Sequence, residues 1–139
     1  MTVKLPKNYR PSEKEEYMCE RQLEYFKQKL IDWRRNLERN IGRATTELQE
    51  TEMQEADIND RATKEMEHDM AMKARDRDRK MIDKIDAALD RIKDGTYGYC
   101  LETGDPIGLG RLEARPTATL CIEAQERRER RERTQAPRE

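Results

Sequence analysis

The 139 residues leave room for one domain plus an extension. With 42% charged and only 5% aromatic residues the chain cannot build a thick globular core. A formal net charge of −1 denies it the net basic surface by which a general DNA binder displaces counterions, and no apolar run approaches the roughly 18–20 residues that span a bilayer. What remains is a mainly α protein whose long helices bury one narrow stripe and solvate the rest. The first residues hold no apolar signal core. The expected place is the cytoplasm, and the three cysteines are expected reduced there.

Residues 1–11, with Pro6 and Pro11 and no periodicity, read as a flexible arm. Ser12 and Glu15 form an S-x-x-E capping box that predicts a helix start, so residues 12–94 are expected to be helical. Leu23, Phe26, Leu30, Trp33, Leu37, Ile41, Ala44 and Leu48 follow at steps of three and four, a heptad-like seam. The pattern lapses at residues 54–60, so a tip near 54–61 is expected, and short connections favour antiparallel neighbours. Helical spacing resumes with Ala62, Met66, Met70, Ala74, Met81, Ile85, Ala88 or Leu89, and Ile92. Asp69, Asp76, Asp83 and Asp90 recur every seven residues on its outer face, with Arg77, Lys84 and Arg91 one position on. Such stripes hold their place only if the helix supercoils on a partner. The expected fold is a long antiparallel coiled-coil hairpin, its return arm about 50 Å long at 1.5 Å per residue. A parallel self-associating coil would need the seam unbroken through residues 54–60, so a monomer is expected.

Five of the six glycines and two of the five prolines fall in residues 95–120. Residues 95–125 read as a small turn-rich module. A short C-terminal helix over 121–134 and a frayed tail over 135–139 complete the chain.

Three features could carry chemistry. Cys100 and Thr103 stand 17 residues before Cys121 and Ala124, the spacing of a C-x2-C…C-x2-C zinc site in which the second member of each pair is missing. Two thiolates do not close a structural zinc site, so the module reads as a degenerate zinc finger that folds without metal. Cys100 and Cys121 are two packed thiols on the plain reading and a redox pair on the sharper one. Cys19 falls on the first helix and reads as incidental. Asp57 and Asp60 flank the tip: Asp60 as an ordinary N-cap and Asp57 as loop polarity, or both as carboxylates offered to a partner. Lys73, Arg77, Lys80 and Lys84 form a cationic stripe, either solvated coiled-coil edge charge or a phosphate site.

Together these residues resemble the DksA family of bacterial transcription factors. The likeness runs from about Glu15 to Arg128 and is densest in Arg75-Asp-Arg-Asp-Arg-Lys80, Tyr97-Gly-Tyr-Cys100, Arg111-Leu-Glu-Ala-Arg-Pro-Thr-Ala118 and Leu120-Cys-Ile122, with Asp57-x-x-Asp60-x-Ala62 at the tip. The resemblance implies a regulator without catalytic residues of its own. Its coiled coil enters the secondary channel of RNA polymerase and modulates initiation, for example at ribosomal RNA promoters, with guanosine tetraphosphate in the stringent response. It implies Asp57, Asp60 and Ala62 as tip determinants near the polymerase active site, Arg77 as a polymerase contact, and Lys84, Arg115 and Gln125 as alarmone-binding positions. Gln125 stands where full-cysteine members carry Lys and so offers a donor without the charge. The Thr103 and Ala124 departures place the chain with the cysteine-poor, zinc-independent branch, with no cofactor required, no sequence-specific DNA binding and no membrane contact. The competing classes are a structural or adaptor coiled coil and a Gre-type transcript-cleavage factor, whose acidic tip recruits Mg²⁺.

Overall fold

The computed structural model describes the backbone of residues 4–53 and 58–135 and the side chains of residues 4–46 and 62–135. Four helices follow in order: α1 (Glu20–Met53), α2 (Ile58–Asp94), α3 (Leu109–Ala114) and α4 (Ile122–Gln135). The first two form the long hairpin the periodicity predicts. None of the helices is long and apolar enough to cross a membrane.

The capping box does not start the helix. Ser12 and Glu15 do bond to one another: the Ser12 N–H donates to Glu15 Oε1 at 3.3 Å and the Glu15 N–H to the Ser12 carbonyl at 3.1 Å. They close a turn, and the chain then passes through Met18 at φ 56, a left-handed conformation no helix continues through. α1 therefore begins at Glu20, not after Ser12. Gln22 organises this start from full burial: its Oε1 accepts from the Met18 N–H at 2.8 Å and its Nε2 donates to the Ser12 carbonyl at 3.2 Å.

The chain divides into two compact units, Leu30–Ala87 and Met1–Lys29 with Ala88–Glu139. Among the described residues of Leu30–Ala87 the buried ones are Leu30 and Leu37 on α1 and Ile85 on α2, and Arg34 Nε donates to Asp86 Oδ1 at 2.8 Å across the two arms. The α1 seam is the expected one as far as Ala44, with Leu30 and Leu37 buried and Trp33, Ile41 and Ala44 half-buried; the Leu48 side chain lies outside the described residues.

The α2 seam differs from expectation toward the tip. Met66 and Met70 are 68% and 67% exposed, and Ala62 is exposed as well. The expected Ala74 and Met81 are half-buried, but toward the tip the half-buried positions are Lys64, His68 and Ala71, in a series that runs on through Arg75, Asp78 and Ile82 to buried Ile85. The reason is rotation: at about 100° per residue, a step of four overshoots one turn by about 40°. Ala62, Met66, Met70 and Ala74 are three such steps in a row, so the stripe drifts by about 120° and leaves the interface. The series from Lys64 alternates steps of four and three and stays in place. The Asp69, Asp76, Asp83 and Asp90 stripe is exposed throughout. Arg91, expected beside that stripe, is half-buried, and burial lowers its pKa against the opposing influence of Tyr97.

The other unit is built around the segment after Gly95. Tyr97 is buried and stacks at 5.7 Å on buried Phe26, and its hydroxyl donates to the Pro116 carbonyl at 2.7 Å. An isolated antiparallel bridge joins Tyr99 to Pro106, and Lys29 Nζ reaches Glu113 Oε2 at 2.6 Å. Gly98 adopts φ +89 so that the backbone can run against α1's lead-in: a Cβ there would lie 2.7 Å from Met18 Cγ and Sδ. The Tyr17 hydroxyl, beside it, donates to the Gly98 carbonyl at 2.6 Å and accepts from the Gly108 N–H at 3.0 Å.

Candidate functional site

Asp57 lies outside the described residues, and so does the Asp60 side chain. The backbone of Asp60 is placed: it is the third residue of α2, which begins at Ile58, so Asp60 is inside the first turn and not its N-cap. That removes the capping role the spacing offers it. Ala62 is exposed.

Further along α2, Lys73, Arg77, Lys80 and Lys84 are all exposed and share one face. With Asp76 and Met81 they line an open groove of about 400 Å³. Among the described residues Lys73, Lys80 and Lys84 have no ion pair, and Arg77 Nε stands only 3.9 Å from Asp78 Oδ1 with its side chain 77% exposed. Four cations beside one carboxylate give this face a local excess of positive charge. Met70 and Met66 extend the same face toward the tip by steps of three and four. The spacing puts both methionines on the seam, and their run of consecutive four-residue steps is the signal that they rotate off it.

The family resemblance ties three positions to the alarmone. Lys84 belongs to Leu30–Ala87, whereas Arg115 and Gln125 belong to the other unit. Arg115 is exposed and closes α3, its N–H donating to the Arg111 carbonyl at 2.8 Å and its own carbonyl accepting from the Ala118 N–H at 3.0 Å. Gln125 is half-buried, and its Nε2 donates to Glu129 Oε1 at 3.1 Å.

The remnant metal motif forms a compact site. Cys100 and Cys121 are free thiols, buried with Leu120 and Ala124 in one cluster. Thr103 Oγ1 lies 3.8 Å from Cys121 Sγ. Burial pushes the Cys100 thiol up, but hydrogen bonds from the Thr103 hydroxyl and from the backbone N–H groups of Cys121, Thr103 and Glu102 outweigh it and bring its pKa down to about 6. These groups favour the charged form of Cys100. They do not amount to a zinc site. Tetrahedral zinc needs four ligands, and here Ala124 puts a fully buried methyl at the fourth position. No group of three His, Cys, Asp or Glu side chains suited to a metal occurs among the described residues.

Two family models match the chain. One, described as the N-terminal domain of DnaK suppressor protein DksA, covers residues 22–92. The other, a prokaryotic dksA/traR C4-type zinc finger, covers residues 95–130, although only two of its four cysteines are present here. The chain is 56% identical over 126 residues to the RNA polymerase-binding transcription factor DksA of Caulobacter vibrioides, covering 91% of this chain and 89% of that protein. It is 41% identical over 128 residues to the protein of the same name from Escherichia coli K12, covering 92% and 85%. Among solved structures it is similar to transcription factor DksA2 from Pseudomonas aeruginosa, with a TM-score of 0.79 and 45% identity over 84% of this chain and 90% of that one.

Proposed function

The chain belongs to the DksA family, and from that premise we propose that it is a cytoplasmic transcriptional regulator that binds RNA polymerase as a monomer and modulates initiation. The observation that carries this is the 56% identity, over nine-tenths of both chains, to a relative named for polymerase binding. The cationic face of α2 supports it, because exposed and largely unpaired cations suit docking on an acidic protein channel.

In this reading the hairpin enters the secondary channel and carries Asp57, Asp60 and Ala62 toward the polymerase active centre. Arg77 holds the coiled coil in place. The carboxylates act on a reaction that belongs to the polymerase, and this chain supplies no catalytic group. Guanosine tetraphosphate binds across the protein–polymerase interface through Lys84, Arg115 and Gln125. Gln125 contributes a neutral donor where a lysine would contribute a charged one, which weakens the alarmone response relative to full-cysteine relatives. No cofactor is required.

The test is in vitro transcription from a ribosomal RNA promoter, with polymerase binding measured in parallel. Asp57→Asn with Asp60→Asn removes two charges without shortening the hairpin, so inhibition falls while binding persists. Unchanged inhibition overturns the tip assignment. Failure of the unsubstituted chain to compete with another secondary-channel protein overturns the function itself.

A further inference from the structure

Neither zinc nor the polymerase reading uses the paired thiols of the degenerate motif. Cys100 and Cys121 are 3% and 9% exposed. Thr103 Oγ1 lies 3.8 Å from Cys121 Sγ, and Thr103 and the Cys121 backbone act to lower the pKa of the Cys100 thiol. The two cysteines belong to one buried cluster with Leu120 and Ala124. That is the wrong donor set for an ion that needs four ligands. It is the right one for a soft monovalent d¹⁰ ion, which thiolates select and which two thiolates in line can satisfy.

We propose that Cys100 and Cys121 form a two-coordinate Cu(I) site. Counted from two neutral thiols, two protons leave for one Cu⁺ and the bound unit carries a single negative charge. No electron is transferred. A buried anion needs hydrogen-bond donors: the amides of Glu102, Thr103 and Cys121 with the Thr103 hydroxyl favour the charged form of Cys100, and Thr103 Oγ1 lies 3.8 Å from Cys121 Sγ. The buried Ala124 methyl offers no donor and keeps the coordination number low, which favours copper over zinc. The site draws on none of the residues proposed to contact polymerase, so the two readings stand or fall separately.

The experiment uses the full chain, reduced and metal-free under anaerobic conditions, titrated with Cu(I) against bathocuproine disulfonate. The expected result is one Cu(I) withdrawn from the chelator per chain, with two sulfur neighbours by X-ray absorption. Cys100→Ser and Cys121→Ser should each weaken binding by more than the roughly 10–100-fold cost of disturbing only a ligand's supporting hydrogen bonds, and Cys19→Ser should leave it unchanged. Circular dichroism checks that the variants fold. Should one fail, alkylation of the unsubstituted protein replaces it: copper should shield Cys100 and Cys121 from iodoacetamide, and undiminished labelling of both overturns the site. Three other results overturn it too: no uptake, uptake unaffected by Cys100→Ser (copper held by Cys19 or the exposed methionines), or one zinc per chain retained through dialysis.

Discussion

Substituting Ala for Gly98 tests how the module is held against the lead-in to α1. Two costs are separable. A left-handed φ of +89 disfavours any L side chain by about 1–2 kcal/mol. The new Cβ would also stand 2.7 Å from Met18 Cγ and Sδ and 3.3 Å from the Tyr17 hydroxyl. Relieving that contact displaces Met18 or pulls Tyr17 off its bonds to the Gly98 carbonyl and the Gly108 N–H, each worth about 1 kcal/mol. The sum is about 2–4 kcal/mol. Gly104 provides the control, since its φ of +77 carries the backbone cost while a Cβ there meets nothing within 4 Å. Gly104→Ala should therefore lose only about 1–2 kcal/mol. Gly42→Ala, in the interior of α1 with open space around it, should gain about 0.5–1 kcal/mol. Urea unfolding ranks the three, and amide exchange at Ile107 and Gly108 localises the effect. If Gly98→Ala proves no worse than Gly104→Ala, the close approach to Met18 and Tyr17 contributes nothing and the reasoning fails.

The corrected register of α2 predicts that Met66→Gln with Met70→Gln changes stability by no more than about 0.5 kcal/mol, whereas Ile85→Ala costs about 2–5 kcal/mol; comparable losses in thermal unfolding would restore the methionines to the core. Burial raises the Glu113 pKa, but hydrogen bonds from Lys29 and Tyr25 outweigh it and hold the carboxyl below its ordinary 4.5. A depressed folded pKa stabilises above the unfolded value and is lost as pH falls through the folded one, so Glu113→Gln should flatten the decline in stability below pH 4.5. At pH 7 the same change should cost about 0.5 kcal/mol or less, because both partners are about one-third exposed and screened by solvent. Urea midpoints at neutral and acid pH measure both effects. Exhaustive dialysis against EDTA should leave the helical circular dichroism intact, and cooperative loss of helix would reveal a metal holding the fold.

Much of the molecule was legible in one dimension because its helices are long and locally determined. Phe26, Leu30 and Leu37 lie where their spacing puts them, and Gly95, at φ +79, follows the last residue of α2. The same reading failed at Ser12 and at Met66. A capping box specifies two hydrogen bonds, and the turn here makes one of them, Ser12 N–H to Glu15 Oε1, while the Ser12 hydroxyl accepts from the Lys14 N–H instead of the Glu15 N–H; the left-handed Met18, held by Gln22 from four residues downstream, excludes the helix. A run of apolar residues at four-residue steps looks amphipathic but rotates off the interface, so only the pairing of the arms shows that Lys64, His68, Arg75 and Asp78 turn inward and the methionines outward.

The sequence by itself determined the helical class, the break between the two arms, the exposed aspartate stripe and the loss of two zinc ligands, because each depends on residue identity and local period. Tertiary structure alone decided what the surviving cysteines became. Spacing makes Cys100 and Cys121 half of a metal site. The fold buries them beside a methyl group and aims one hydroxyl and three amides at the Cys100 sulfur. That environment is assembled from residues some twenty positions apart, and no local pattern encodes it.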